Sequence, residues 1–238
     1  MSGLSVSNLS YAYGAKTALQ DVTFQVPAGQ FCALLGPNGA GKSTLFGLLT
    51  RLLVAPQGSV QIAGNDLARA PRLALGQLGI VFQQTTLDMD LSVRQNLSYF
   101  AALQGLSGRA AARRIDRALD KLSMLERAHE KARALNGGHR RRAEIARALI
   151  HDPAVLLLDE ATVGLDAAAR AAITQHVHDL TQDGTTVLWA THLTDEVLPE
   201  DQLVVLHRAR ILAQGRCADI SGDAPLRDRF LAMTANPA

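Results

Sequence analysis

A glycine-rich run of eight residues constrains this chain more than any other feature. Residues 36–43 read GPNGAGKS, which fits the pattern G-x-x-x-x-G-K-[ST]. An apolar stretch, Phe31–Leu35, leads into the run, and residues 43–53 repeat apolar side chains at helical spacing after it. Glycines let the backbone close around an anion, and amides at the start of a helix attract negative charge. The pattern therefore predicts a phosphate-binding loop between a buried strand and a helix.

Two side chains of this loop have separate chemical tasks. Lys42 supplies a mobile charge for the β- and γ-phosphates of a nucleoside triphosphate, and Ser43 supplies a hydroxyl for Mg²⁺. The residues expected to surround the nucleotide's phosphates are Gly36, Pro37, Asn38, Gly39, Ala40, Gly41, Lys42, Ser43 and Thr44.

A pair of carboxylates follows a second buried strand. Residues 155–158 read VLLL, and Asp159 and Glu160 come directly after them. In α/β proteins ligands bind at the carboxyl ends of the parallel strands, so both carboxylates are expected beside the phosphates. Asp159 suits the coordination of Mg²⁺, and Glu160 can polarise a water molecule for attack on the γ-phosphate.

The remaining apolar patterns define the fold class and the domain organisation. Continuous apolar runs at residues 80–82, 154–158 and 186–190 indicate strands of a parallel sheet covered on both faces. Apolar residues alternate with polar ones at 22–26 and 60–62, which is typical of half-exposed antiparallel strands. From about 92 to 150 the spacing is helical. We expect one α/β domain over residues 1–238: a mainly parallel core sheet with an N-terminal antiparallel β part, from about 1–90 and 151–238, and an inserted helical part at about 91–150.

Composition excludes several classes of protein. The chain has 238 residues and a net charge of only +2, which does not suggest a nucleic-acid-binding protein. Its two cysteines have no metal-type spacing, and a reducing cytoplasm is the simpler interpretation. The first ten residues lack the features of a signal peptide, and no apolar stretch is long enough to span a membrane.

A third motif lies about twenty residues before Asp159, where residues 135–139 read LNGGH. Here the chain resembles the ATP-binding subunits of ABC transporters, whose signature LSGGQ occupies this place after a helical insertion. Other landmarks of that family follow in the correct order. They are an adenine-stacking aromatic at Tyr13 (Tyr11 competes), the Q-loop glutamine at Gln83 (Gln84 competes), the signature residues Asn136, Gly137 and Gly138, the D-loop aspartate at Asp166, and the switch histidine at His192.

The resemblance implies a role for each landmark. Gln83 would contact Mg²⁺ and couple hydrolysis to the partner, Glu160 would be the general base, and His192 would sense the γ-phosphate. Because the phosphate loop of one subunit faces the signature of another in this family, the resemblance implies a second nucleotide-binding domain, most simply a second copy of the chain. It further implies a separate integral membrane permease, contacted by the helical insertion and residues 83–96, and a location on the cytoplasmic face of the inner membrane.

Three positions depart from the usual family pattern. Asn136 stands where Ser is usual, His139 where Gln is usual, and Ala161 where Pro commonly follows the catalytic Glu. The form LNGGHRRR resembles a bacterial subgroup found with pyrroloquinoline-quinone-dependent alcohol dehydrogenase systems. Arg140, Arg141 and Arg142 fall in the first turn of the next helix, where they oppose the helix dipole. We expect them to face either a partner's nucleotide or solvent.

These observations predict an ATPase that binds ATP and Mg²⁺ and powers transport. The short C-terminal tail and the form of the motifs resemble exporter ATPases of the drug-efflux type, with an importer as the alternative. Two other classes stay open: a non-transport ABC ATPase that acts on ribosomes or DNA, and a weakly hydrolysing regulatory module. A single cassette without sustained heptads disfavours the first of these, while Asn136 and Ala161 suggest the second.

Overall fold

The computed structural model describes residues 2–235, and they contain two β-sheets. The larger sheet has the strand order β10-β9-β3-β8-β7-β6, and the smaller one has the order β2-β1-β4-β5. The strands are β1 (Ser2–Tyr13), β2 (Lys16–Pro27), β3 (Phe31–Leu35), β4 (Gln57–Ile62), β5 (Asn65–Asp66), β6 (Leu78–Val81), β7 (Val155–Asp159), β8 (Thr186–Thr191), β9 (Gln202–His207) and β10 (Arg210–Arg216). The predicted α/β class, with a mainly parallel sheet and an antiparallel one, is confirmed.

The larger sheet is parallel from β9 to β6, and only the edge strand β10 runs antiparallel. Strands β3 and β8 are buried along their whole length, as the continuous apolar runs predicted. One boundary differs, because β6 ends at Val81 whereas the apolar run extends to the exposed Phe82. Gln83 therefore lies two residues beyond the strand and not directly at its end.

The smaller sheet is fully antiparallel and has one buried face. Val22, Phe24 and Val26 of β2 are buried, and the residues between them are exposed. Their period of two matches the alternation seen in the sequence. This face and one face of the larger sheet enclose a common apolar core that also contains the buried side of α1.

Eight α-helices connect and cover the sheets within residues 2–235. They are α1 (Lys42–Leu49), α2 (Pro71–Gly76), α3 (Val93–Leu103), α4 (Gly108–Lys121), α5 (Gly137–Leu149), α6 (Ala167–Gln182), α7 (Cys217–Ser221) and α8 (Leu226–Ala235). The apolar spacing over residues 43–53 suggested a longer first helix. The chain leaves the helix after Leu49 because Arg51 adopts a left-handed conformation with φ of 60°.

Residues 93–149 contain α3, α4 and α5 and no strand. One apolar stripe of α4, with Ile115 and Leu119 at its centre, is buried against the rest of this helical part. Arg109 and Arg113 on the opposite face are exposed. Among residues 2–235, we find no helix with both the length and the apolar character needed to cross a membrane.

Candidate nucleotide-binding site

The candidate site lies at the carboxyl edge of the larger sheet. Strands β3, β8, β7 and β6 are parallel neighbours, so the loops that follow them emerge at the same edge. The glycine-rich loop follows β3, Glu160 follows β7, His192 follows β8, and Gln83 lies two residues after β6. Sheet topology alone thus brings together motifs that are up to about 150 residues apart in the chain.

The glycine-rich loop needs glycine at its two ends. A Cβ at Gly36 would lie 2.5 Å from the carbonyl oxygen of Leu206. Gly41 has φ of 115°, and a Cβ there would lie 2.6 Å from the carbonyl oxygen of Ala18. Gly41 is also the N-cap of α1, so the loop leads directly into the start of the helix. Because amides at the start of a helix attract anions, this position suits a phosphate group.

Lys42 is held inside the loop. Its side chain is only 6% exposed, and Nζ donates a hydrogen bond of 2.6 Å to the carbonyl oxygen of Gly36. The same nitrogen lies 3.4 Å from Oε1 of Glu160. A buried ammonium must be paired, and here a carboxylate and a backbone carbonyl fill that role. The charge on Lys42 is therefore already oriented toward the centre of the site.

Glu160 joins three of the predicted residues. Its Oε2 accepts a hydrogen bond of 3.3 Å from Nε2 of Gln83, and its Oε1 lies 3.4 Å from Nδ1 of His192 and from Nζ of Lys42. Its backbone has φ of 46°, which is uncommon for a residue with a Cβ, and its amide donates to the carbonyl oxygen of Ala190 at 2.8 Å. At this turn the chain leaves β7, and Glu160 is the first residue after the strand.

The carboxyl group of Asp159 has a raised pKa. Burial is the largest cause, the neighbouring charge of Glu160 adds to it, and Lys42 opposes it. A buried carboxylate beside a second carboxylate gains free energy when a cation binds next to it. Asp159 therefore fits the metal-binding role that its position at the end of β7 predicted.

A cavity of about 460 Å³ opens in front of the glycine-rich loop. Its wall includes residues 37–44, Gln83 and Glu160, and on one side Tyr13, Lys16 and Thr17. Tyr13 is 51% exposed at the mouth, whereas Tyr11 packs against the apolar core and meets the Tyr13 ring edge-on at 5.0 Å. The geometry therefore favours Tyr13 over Tyr11 as the platform for a base. Lys16 and Thr17 were not identified from the sequence, because neither belongs to a motif.

The signature residues do not line this cavity. Asn136 is the N-cap of α5, and its Oδ1 accepts a hydrogen bond of 2.8 Å from the amide of His139. Gly137 and Gly138 pack so closely on Leu165 and Ala169 that a Cβ at either would lie 2.9 Å from the neighbouring side chain. Asp166 caps α6 in the same way, through the amide of Ala169. The signature and the D-loop thus form one surface, separate from the phosphate loop of the same chain.

The three arginines after the signature do not share one environment. Arg140 and Arg142 are half-buried, but Arg141 is buried and faces neither solvent nor a partner, so the expectation fails for this residue. Its guanidinium donates to the carbonyl oxygens of Phe82 and Gln83, each at 2.6 Å, and to Glu144 at 2.8 Å. Arg141 therefore holds the backbone that carries Gln83. The i,i+3 spacing of Arg141 and Glu144 was the available sequence signal.

His139 replaces the usual glutamine of the signature, and its pKa is lowered. Partial burial is the largest cause, and the positive charges of Arg142 and Arg127 add to it. The imidazole is consequently held in its neutral form over a wider pH range than a free histidine. Ala161, the third departure from the family pattern, is fully buried in the apolar core.

These features define a nucleotide-binding ATPase of the P-loop class, and comparison with known proteins identifies its family. The family model described as ABC transporter matches residues 19–163. The chain belongs to this family, whose ATP-binding domains hydrolyse ATP, and the predicted resemblance is confirmed.

Two curated relatives illustrate the similarity. The daunorubicin resistance ATP-binding protein DrrA3 of Streptomyces coeruleorubidus is 37% identical over 224 residues, which cover 92% of this chain and 70% of that protein. The Nod factor export ATP-binding protein I of Ralstonia nicotianae is 37% identical over 214 residues, covering 90% of this chain and 67% of that protein.

A solved structure supports the same fold. The cbiO1 protein from Clostridium perfringens, part of the ABC transporter complex cbiONQ, superposes with a TM-score of 0.86 at 28% identity. The superposition covers 97% of this chain and 95% of that chain.

Proposed function

We propose that this chain is the ATP-hydrolysing subunit of an ABC exporter and that it works with a separate membrane permease. The observation that carries the proposal is the convergence of Lys42, Gln83, Glu160 and His192 around the glycine-rich loop. The direction of transport rests on the relatives, because the two described above are a drug-resistance protein and an export protein. The subgroup associated with pyrroloquinoline-quinone-dependent alcohol dehydrogenases stays a prediction.

The residues of the site fit ATP and Mg²⁺. The backbone amides of residues 37–44 and Lys42 would hold the phosphates, and Tyr13 would stack on adenine. Ser43, Gln83 and Asp159 offer the oxygen ligands that Mg²⁺ prefers. In the structure Lys42 and His192 both contact the carboxylate of Glu160. Phosphate binding would draw Lys42 away and free this carboxylate to accept a proton from water. His192 is partly exposed and can then donate to the γ-phosphate.

A second copy of the chain would complete the site. Asn136, Gly137 and Gly138 lie outside the cavity that the phosphate loop of their own chain lines. At the start of α5 the two glycines present backbone amides, and Nδ2 of Asn136 remains a donor because Oδ1 makes the capping bond. A twofold dimer in which each α5 faces the partner's phosphate loop would satisfy both surfaces. In this arrangement ATP stabilises the dimer and its hydrolysis releases it.

The variant E160Q tests this function. Removing a general base lowers turnover by about 10²- to 10⁴-fold, while the phosphate loop stays intact. We expect E160Q to bind ATP, to accumulate as a dimer in sedimentation experiments with Mg²⁺ and ATP, and to hydrolyse ATP far more slowly. The matched control is E126Q, an exposed carboxylate outside the site. Wild-type turnover in E160Q would show that Glu160 is not the general base. A variant that stays monomeric at saturating ATP would contradict the proposed dimer.

The permease would dock on a second cavity, of about 410 Å³, between residues 86–91 and helix α3. Tyr99 is 65% exposed beside it, and Phe100 and Arg147 form its floor with a guanidinium 5.1 Å from the ring centre. Such an apolar and partly charged hollow suits a short amphipathic segment of another protein. Because Arg147 also donates to the carbonyl oxygen of Thr86, a ligand in this cavity would contact the loop that carries Gln83.

A cysteine cross-link tests the docking site. Leu91 lines the cavity and is half-buried, so L91C can react, whereas Leu87 is buried and is a poor position. The native Cys32 and Cys217 are both buried. We expect L91C to form a cross-link to the co-purified permease, which would hold the chain at the cytoplasmic face of the inner membrane. The control Q214C, on the far edge strand β10, should form none; capture of a soluble protein at L91C would contradict transport.

A further inference from the structure

A buried carboxylate connects the two loops of the site that carry Glu160 and His192. Glu196 ends a short 3-10 turn, Thr194–Glu196, shortly after β8, and it is only 1% exposed. One carboxylate oxygen accepts a hydrogen bond from the hydroxyl of Thr162, and the other accepts one from the hydroxyl of Thr191. Both threonines are themselves 1% exposed. None of these three residues lines the nucleotide cavity.

Thr191 is next to His192 and controls the backbone around it. Besides donating to Glu196, its Oγ1 accepts a hydrogen bond of 3.0 Å from the amide of Leu193. His192 thus lies between Thr191 and Leu193, which are connected by this hydrogen bond. A fixed turn at this point determines where the imidazole projects from the end of β8.

Thr162 performs the corresponding function for the other loop. It lies two residues after Glu160, and its carbonyl oxygen accepts a hydrogen bond of 3.1 Å from the amide of Leu165. This bond forms the turn that leads to Asp166, the N-cap of α6. The hydroxyl of Thr162 therefore fixes the start of the D-loop and the path of the chain after Glu160.

The chemistry of the cluster favours a positioning role over simple packing. Burial raises the pKa of the Glu196 carboxyl, and the hydrogen bonds from Thr162 and Thr191 oppose that rise. A buried carboxyl group is expensive, and a leucine of similar size would fill the same space without that cost. What a leucine cannot do is accept one hydrogen bond from each loop. The two accepted bonds are thus the specific contribution of this residue.

We propose that Glu196 is a positioning residue that ties the loop after β7 to the loop after β8 and thereby sets the distance between Glu160 and His192. In the structure that distance is 3.4 Å from Oε1 to Nδ1. The inference deepens the proposed function, because it assigns to a residue outside the cavity the alignment of the general base with the γ-phosphate sensor. It further implies that the D-loop of each subunit shifts together with its switch histidine.

Hydrogen–deuterium exchange of the nucleotide-free full chain tests whether Glu196 connects the two loops, and it does not depend on catalysis. In T162V, which keeps the side-chain shape, we expect faster amide exchange at residues 191–196 as well as at 160–166. In T191V we expect the reciprocal effect. The matched control is T174V, because the buried hydroxyl of Thr174 has no hydrogen-bond partner within residues 2–235. Faster exchange confined to the loop that carries the substitution would overturn the proposal.

Steady-state kinetics test the consequence for hydrolysis. We expect E196A to lower kcat by about 10- to 100-fold and to leave the KM for ATP within about threefold of wild type, since misplacement of reacting groups affects mainly the chemical step. E196Q, which still accepts one hydrogen bond, should retain more activity than E196A. Combined with H192A, E196Q should cause little further loss, because both changes act on the same alignment.

The outcomes separate the two proposals. Equal loss of melting temperature in E196A and E196Q with an unchanged kcat would overturn the positioning role and leave the proposed function intact. A wild-type chain that shows no ATP hydrolysis would contradict the proposed function, and the exchange experiment would still decide whether Glu196 ties the loops. Additive losses in the combination with H192A would also overturn the proposal.

Discussion

The substitution R141M removes the charge that holds the Gln83 loop. Arg141 and Glu144 are 7% and 1% exposed, so this ion pair is buried and hydrogen-bonded. Breaking such a pair by removal of one partner costs about 3–5 kcal/mol, because the remaining charge stays buried. The carbonyl oxygens of Phe82 and Gln83 also lose their donors. We therefore expect R141M to lower the free energy of unfolding by about 3–5 kcal/mol, a large fraction of the typical stability of a domain.

Urea unfolding measures this loss of stability, and the pKa of Glu144 determines how the loss depends on pH. With an m-value of about 3 kcal/mol/M, the midpoint should fall by about 1–2 M. Burial already raises the pKa of Glu144, while Thr86, Arg141 and Arg147 oppose the rise. Removing Arg141 raises that pKa further, so Glu144 in R141M is protonated more readily than in wild type. The stability difference between wild type and R141M should consequently shrink as the pH falls.

A second substitution, at Glu144, shows whether its unpaired charge causes the loss of stability in R141M. E144Q keeps an oxygen that can accept the 2.7 Å hydrogen bond from the Thr86 amide but carries no charge. We expect the double variant R141M/E144Q to recover a large part of the stability that R141M loses. The control R140M changes a half-buried neighbour with no ion pair in the described part of the chain, and it should alter stability by less than about 0.5 kcal/mol. A double variant no more stable than R141M would refute the reasoning.

Two further predictions concern the cap of α5 and a buried histidine. N136A removes the cap and should lower the free energy of unfolding by about 1 kcal/mol. N136S should be nearly neutral, because Ser is also a good N-cap residue. Equal stability of the two variants would contradict the capping role. For His178, burial lowers the pKa, but Asp201 and the carbonyl of Thr174 outweigh it and the pKa is raised. Its stabilisation is complete below the ordinary histidine pKa of about 6.5 and is lost as the pH rises through the raised value. The stability gap between wild type and H178Q should therefore narrow with rising pH, and a gap that widens would exclude an ion pair with Asp201.

The strands that lead to the candidate site could be predicted because their sequence signals are local. Each buried parallel strand appears as a short apolar run, and the polar residue that follows it must emerge at the carboxyl edge. Glu160 was identified in this way, whereas Gln83 and His192 were identified through the resemblance to the ABC family. The order of the strands was not predicted, since the pairing of β3 with β8 and β9 involves residues more than about 150 positions away.

The supporting residues could not be found in the same way. Arg141 and Glu196 act on residues 58 and 34 positions distant, respectively, and no periodicity connects such pairs. In the sequence the buried Arg141 cannot be distinguished from the half-buried Arg140 and Arg142, and a glutamate after the switch histidine resembles a solvent-facing charge. Only packing separates them, because the pairing that makes burial of a charge tolerable is visible solely in three dimensions.

Arg141 and Glu196 together suggest how the two sites of the proposed dimer communicate. Helix α5 begins with Gly137, which would face the partner's nucleotide. One turn later Arg141 holds the backbone of Gln83, which would contact the nucleotide of its own chain. Because a helix turn is stiff, we expect a displacement of the signature by the partner's ATP to move the carbonyl oxygens that Arg141 binds. Glu196 makes the corresponding link between the D-loop and His192. R141K keeps the charge but cannot reproduce the forked contacts to both carbonyls, so it should lower the cooperativity of ATP hydrolysis more than it lowers ATP affinity. An unchanged Hill coefficient in R141K, with a reduced rate, would show that Arg141 supports only its own site.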